Sequence, residues 1–139
     1  MNEIRNTGEL LSEWIEAFNA HDVGRLAGMY SEEAVNFQVA AGEPVHGREN
    51  IRADFEAFFG AFPDTWARVE NLLEDGDWAA WEWEGGGTFT GEFLGSPPTG
   101  KGYTLRGCGF FRFEHGLIVF QRGYWDKLSW FGQVGLEVG

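Results

Sequence analysis

Leu10, Leu11, Trp14, Ile15 and Phe18 fall at helical spacing and give the N-terminal segment one wide apolar face. Asn6 or Thr7 caps this first helix, with Glu9 placed for a capping box on Asn6. The segment Asn19 to Asp22 interrupts the pattern, and Asp22 caps a second short helix that carries Val23, Leu26 and Tyr30. Two short extended pieces follow, at Ala34 to Val39 and Glu43 to Val45. The strongest helical signal comes next, where Ile51, Phe55, Phe58, Phe59 and Phe62 share one face. Pro63 ends that third helix, since it lacks an amide donor and its ring clashes with the preceding turn.

From Thr65 the period becomes that of strands. Trp66 to Glu74 and Trp78 to Glu84 form a hairpin around Asp75-Gly76, and Leu105 to Phe113 and Leu117 to Trp125 form another around His115-Gly116. Gly85 to Gly102, rich in Gly, Pro and Thr, reads as an ordered loop anchored by Phe89, Phe93 and Leu94. Helices followed by antiparallel strands define an α+β fold with the helices on one face of the sheet. The expectation is a single domain over residues 1–139, with three N-terminal helices packed on a strongly curved, mostly antiparallel sheet. Such a sheet curls into a cone-shaped barrel around an apolar pocket, with glycines at 85 to 87, 107, 109 and 123 permitting bends or bulges. Thirteen Phe and seven Trp supply walls for that pocket, among them Trp14, Phe18, Phe55 and Phe59 as substrate contacts.

Charge narrows the partners. Ten Lys and Arg against 22 Asp and Glu leave a formal charge of −12, which opposes binding to nucleic-acid phosphates or an anionic membrane. Residues 1–11 include Glu3, Arg5 and Glu9 and no leader-like apolar run, and no stretch is apolar enough to span a bilayer. A soluble cytoplasmic protein is expected. Cys108 is the only cysteine, so an intrachain disulfide is impossible, and its Gly-flanked strand position suggests a small buried filler.

Asp126 is the leading catalytic candidate, because it closes an aromatic strand pattern through Phe120, Tyr124 and Trp125. A carboxylate held among such residues is poorly hydrated, which favours its neutral form and suits a general acid or base working near neutral pH. The competing reading makes Asp126 the cap of a turn or short helix beginning at Lys127. Gly95 to Gly102 nearly matches a phosphate-binding loop, but Gly102 stands where Ser or Thr belongs, and a strand rather than a helix follows. His21, His46 and His115 show no metal-ligand spacing, so no metal is expected. His46, just before the Phe-rich helix, is either a substrate contact or part of that helix's cap. Glu82 and Glu84 share a strand face that points either into the pocket or away from it, and Arg52, Arg106, Arg112 and Arg122 are available to pair with acids.

Several segments together resemble the SnoaL-like polyketide cyclase family, within the fold group of nuclear transport factor 2 and steroid delta-isomerase. They are Phe18-Asn19-Ala20-His21-Asp22 with Leu26 and Tyr30, His46 through Ile51, Phe59 through Asp64, Gly87 through Gly95 with Pro97 through Lys101, and Tyr124-Trp125-Asp126 with Gln133 through Leu136. The resemblance implies a homodimer and a ring-closing or isomerising enzyme that needs no cofactor. Its substrate would be a hydrophobic, carbonyl-containing small molecule, and its acid/base group the aspartate at the end of the last strand, here Asp126. Family members often carry histidines where this chain has Phe89 and Tyr124, leaving Tyr124 as the group that would orient Asp126 or donate to an oxyanion. Fold alone does not settle function. A non-catalytic small-molecule binding protein and a dimerisation module are the alternatives.

Overall fold

The computed structural model describes residues 6–138. The reading of residues 1–5 as free of a leader-like run lies outside them. Among the described residues four α-helices pack on one curled sheet: α1 (Thr7–Asn19), α2 (Val23–Gly28), α3 (Arg48–Ala61) and α4 (Lys127–Val134). The six strands are β1 (Tyr30–Gln38), β2 (Val45–His46), β3 (Trp66–Asp75), β4 (Trp78–Thr88), β5 (Gly102–Glu114) and β6 (Leu117–Trp125). They lie in the order β2-β1-β6-β5-β4-β3, with β2 and β3 as free edges. Every neighbouring pair is antiparallel except β1 with β6, which is parallel.

Local chemistry sets the helix boundaries. Asn6 Oδ1 accepts from the Glu9 amide at 2.8 Å while Asn6 Nδ2 donates to Glu9 Oε1 at 3.0 Å, so both partners secure the first turn of α1. Asp22 Oδ1 accepts from the Arg25 amide at 3.0 Å to start α2. That helix stops at Gly28, and Tyr30 is the first residue of β1 rather than part of a helix. α3 begins after Gly47, whose φ of 91° is open to glycine, and ends at Ala61, with Phe62 as its C-cap before Pro63. His115 and Gly116 both have positive φ, 52° and 79°, as a two-residue hairpin turn requires.

The glycine-rich segment differs from expectation at both ends. β4 continues through Gly85, Gly86 and Gly87 to Thr88, and β5 starts at Gly102, because eleven consecutive residues of β4 stay in register with β5. Cross-strand pairing overrides the low strand preference of glycine. The loop is therefore residues 89–101. Phe89 is fully buried and Phe93 packs beside it, whereas Leu94 is exposed.

Two apolar clusters fill the concave side. One joins Trp14, Leu11, Leu26, Tyr30, Ile51, Phe59, Trp81 and Phe111 between α1, α2, α3 and the sheet. The other joins Phe62, Phe89, Leu105, Trp130, Phe131 and Val134, where α4 and the loop close the end of α3. The inward glycines leave room for side chains rather than making bends. A Cβ on Gly107 would collide with the Trp83 ring, and one on Gly123 would collide with the Gln38 amide. Gly123→Ala therefore displaces Gln38 and is expected to destabilise the fold by about 1–3 kcal/mol, seen as a lower denaturant midpoint at unchanged m-value.

Candidate functional site

The last strand decides which residues face the cone. Between β5 and β6, Arg112 pairs with Phe120 and Phe113 with Ile118, so one step on β5 spans two on β6 and Val119 is an extra residue. This bulge inverts the alternation. Before it Ile118 points inward; beyond it Gln121, Gly123 and Trp125 point inward while Phe120, Arg122 and Tyr124 point outward.

Asp126 and Tyr124 are therefore not where the sequence placed them. Tyr124 is 42% exposed on the convex face, its ring edge-on to Phe110 and beside the Arg122 guanidinium. Asp126 is exposed at the end of β6, where its Oδ1 accepts the Ser129 amide at 3.0 Å and caps α4. The capping reading of Asp126 describes its geometry, and the expected aromatic enclosure is absent. His46 is also exposed, and α3 starts at Gly47 without a side-chain cap; the His46 carbonyl accepts from Asn50 Nδ2. Glu82 and Glu84 lie on the convex face, where Glu84 pairs with Arg68 and Arg106. Cys108 is half-exposed on that face, not buried.

The four expected aromatic walls do come together. Trp14 stacks on Phe18 with centroids 5.5 Å apart and meets Phe55 at 6.2 Å, and Phe59 lies 5.3 Å from Phe18 and 6.0 Å from Phe55. His21 stacks on Phe59 at 4.6 Å, and its Nε2 lies 2.6 Å from the Thr65 carbonyl. Trp14 and Phe59 are buried, whereas Phe18, Phe55, Phe58, Trp83 and Trp125 remain half-exposed although they face the interior.

Polar groups that hydrophobic patterning does not reveal lie on the same concave face. Trp14 Nε1 donates to Tyr30 Oη at 3.0 Å, and Tyr30 Oη in turn bonds Gln121 Oε1. Tyr30 is completely buried, and burial raises its hydroxyl well above the ordinary tyrosine range, with the Trp14 bond opposing this only in part. Tyr30 is accordingly a neutral hydrogen-bonding group. Nearer the rim, Trp125 Nε1 donates to Gln38 Oε1 at 2.9 Å and Gln38 Nε2 donates to Asn36 Oδ1 at 2.8 Å.

One carboxyl on α3 flanks the Phe-rich helix face. Asp54 on α3 precedes Phe55 and lies one turn before Phe58, whose ring meets Trp130 at 6.3 Å. Asp54 is exposed, and partial desolvation by the surrounding protein raises its carboxyl above the ordinary aspartate value. Among the described residues no hydrogen bond or ion pair holds it. The sequence signal for Asp54 was weak: an acid on the flank of a Phe-rich helix face is usually a solvated residue.

Two clefts of about 340 Å³ each lie away from the aromatic cluster. One is lined by Asp64, Trp66, Thr88, Tyr103, Thr104 and Gln133. There Asp64 accepts from the Thr88 hydroxyl and amide, both at 2.7 Å, and the hydroxyl bond chiefly holds its carboxyl below the usual range. The other is on the convex face, among Glu70, Glu82, Arg106, Cys108 and Tyr124. Among the described residues no group of three or more His, Cys, Asp or Glu is placed to hold a metal ion, and no helix is long and apolar enough to cross a membrane.

A curled sheet of this topology has the ketosteroid isomerase-like fold. The sequence pattern of the SnoaL-like polyketide cyclases matches residues 9–134, and the chain belongs to that family. No curated protein matches it. Among solved structures it is similar to a protein from Jannaschia sp. CCS1 assigned to the SnoaL-like polyketide cyclases, at 20% identity and a TM-score of 0.84 over 98% of this chain and 99% of that one. IdmH from Streptomyces antibioticus, a candidate polyketide cyclase, shares 27% identity at a TM-score of 0.75, covering 92% of this chain and 97% of its own. A protein of ketosteroid isomerase-like fold from Catenulispora acidiphila, solved with trimethylamine, shares 19% identity at a TM-score of 0.78 over 93% and 94% of the two chains.

The cap geometry of Asp126 makes a definite prediction. Asp126→Ala should cost about 0.5–2 kcal/mol of unfolding free energy, while Asp126→Asn, an equally good cap, should leave thermal stability nearly unchanged. A matching loss in both variants would contradict the capping role.

Proposed function

We propose that the chain is a cofactor-independent cyclase-like or isomerase-like enzyme that takes a hydrophobic carbonyl compound into the concave face of the sheet. The observation that carries this reading is the juxtaposition, on one side of the sheet, of aromatic walls, inward amides and a partly desolvated carboxyl. Membership of the SnoaL-like polyketide cyclase family supports a reaction of this class. Asp54 is the acid/base group in this reading, taking the role the sequence resemblance gave to Asp126. As a carboxylate it removes a proton from the carbon beside a carbonyl, and the C–H electron pair moves onto the carbonyl oxygen to form an enolate. The enolate carbon attacks a second carbonyl of the same molecule, forming the ring C–C bond and an alkoxide. Asp54, now protonated, returns its proton to that alkoxide. Proton return to a different carbon of the enolate would instead give isomerisation. A raised carboxyl value suits both halves of the cycle, since each needs a different protonation state near working pH. The lone cysteine and the absence of disulfides suit a reducing cytoplasm.

The test is turnover of an identified carbonyl substrate. Asp54→Asn should lower kcat by at least about a hundredfold, and the wild-type rate should climb with pH through a value above that of an ordinary aspartate. Full activity in Asp54→Asn, with loss in Asp126→Asn, would return the role to Asp126. The sign of the accompanying stability change is fixed by linkage. A folded-state value raised above the unfolded one favours the fold below the unfolded value, and that benefit is lost as pH rises through the raised value. Asp54→Asn, which carries no charge to desolvate, should therefore melt higher than wild type at neutral pH, with the difference vanishing in acid.

A homodimer through the convex face forms part of the same proposal. That face exposes Leu73, Trp78 and Tyr124, and its Arg122 lies over the Phe110 and Phe120 rings with a buried Nε that has no acceptor. An opposing subunit would cover the rings and supply the acceptor. Sedimentation velocity should give twice the 15.6 kDa chain mass for the wild type and the monomer mass for Tyr124→Glu. A monomeric wild type would contradict the dimer and favour a free-standing binding domain.

A further inference from the structure

Indole nitrogen can only donate a hydrogen bond, and this single restriction orients every group in the two polar chains on the concave face. Trp125 Nε1 must meet an acceptor, so the Gln38 atom 2.9 Å away is its Oε1. Gln38 then presents Nε2 to Asn36, which answers with Oδ1 and turns its Nδ2 outward from the chain. The other chain runs the same way. Trp14 Nε1 donates to Tyr30 Oη, the buried Tyr30 hydroxyl proton goes to Gln121 Oε1, and the Gln121 Nε2 group is left over.

The two chains end at adjacent positions. Asn36 and Gln121 are register partners across the parallel β1 and β6 pair, with side chains on the same inward face. Among the described residues neither Asn36 Nδ2 nor Gln121 Nε2 has an acceptor. Gln121 is only 7% exposed, and its NH2 group lies on the concave face beside Asn36. Two adjacent amide donors that no protein acceptor occupies are free to bind an oxygen from outside the chain. Hydrogen-bond chains also polarise in one direction, which strengthens the last donor of each.

We infer that Gln121 Nε2 and Asn36 Nδ2 form a two-donor seat for an oxygen of the bound molecule, of the class of ketone carbonyls and their enolates. The seat accepts oxygen and rejects donors such as ammonium groups. Tyr30, Trp14, Gln38 and Trp125 are positioning residues that hold the two amides in the donating orientation. In the proposed reaction the seat would carry the negative charge that develops on the carbonyl oxygen as the neighbouring proton leaves. This inference rests on the reading that the concave face takes the ligand.

The experiment compares 2-acetylnaphthalene with 2-ethylnaphthalene, which have similar shape but only one of which carries an oxygen. The wild type should bind the ketone about tenfold more tightly than the hydrocarbon, the worth of two neutral hydrogen bonds. The C=O stretch of the bound ketone should move to lower wavenumber, and the side-chain NH2 resonances of Gln121 and Asn36 should shift on its addition. Asn36→Leu should abolish the ketone preference and reduce the carbonyl shift while retaining hydrocarbon binding. Gln121→Leu leaves Tyr30 without an acceptor and endangers folding, so the Tyr30→Phe and Gln121→Leu pair, which removes both partners together, is the matching variant. Asp54→Asn should keep the carbonyl shift while losing turnover. A ketone that binds without preference or spectral shift, or a shift that survives both the Asn36 and the paired variants, overturns the seat and leaves the proposed enzyme standing. Failure of both probes to bind overturns the seat together with the reading it rests on.

Discussion

The buried Tyr30 hydroxyl ties together the helix and strands that form the concave face. It sits on β1 between a donor from α1 and an acceptor from β6, so the Trp14–Tyr30–Gln121 chain links the first helix to two strands across the apolar core. An unpaired hydroxyl at this depth would cost roughly 1–3 kcal/mol, which couples the position of α1 to the register of β6. That register places the bulge at Val119, and the bulge assigns Gln121, Gly123 and Trp125 to the interior. Gly123 then has to be glycine, because the Gln38 amide lies over it on its way from Trp125 to Asn36.

The sheet consequently has two faces with different chemistry. The concave face carries aromatic rings and amide groups and few charges. Its convex face holds a charged cluster of Arg68, Glu70, Glu84 and Arg106 on one side and the Arg122 aromatic group on the other. Ion pairs as exposed as the one between Arg68 and Glu70 add little to stability. They suit a surface that discriminates between partners. In the proposed reading small-molecule chemistry takes the concave face and association between copies the convex one.

Most of the architecture was legible in the sequence because it depends on local rules. The caps at Asn6 and Asp22, the Phe-rich helix stopped before Pro63, and both hairpins follow from side-chain chemistry within a few residues. Tyr30 was misplaced since its spacing from Leu26 fits a helix, while its real partner, Ile118 on β6, is distant in sequence. Asp126 and Tyr124 were drawn into the site for a related reason. Strand parity counted along the aromatic residues of β6 carries Phe120, Tyr124 and Asp126 together, and only pairing with β5 reveals the extra residue that sends this set outward. Gln121, Asn36 and Gln38 escaped notice because a polar residue at an inward position looks like the exposed half of an alternating strand. The resemblance to the SnoaL-like cyclases gave the family and the fold, and could not show that the carboxyl at the end of β6 caps α4.

The most direct test of the central claim is a crystal structure of the ligand-free protein at about 1.2 Å resolution or better, where hydrogens and amide orientations begin to be visible. The account predicts Trp14 and Trp125 donating into the two chains, with an ordered water accepting from both Gln121 Nε2 and Asn36 Nδ2 inside the cone. Amides rotated to present oxygen there, or NH2 groups bonded to protein acceptors with side chains filling the space, would contradict it.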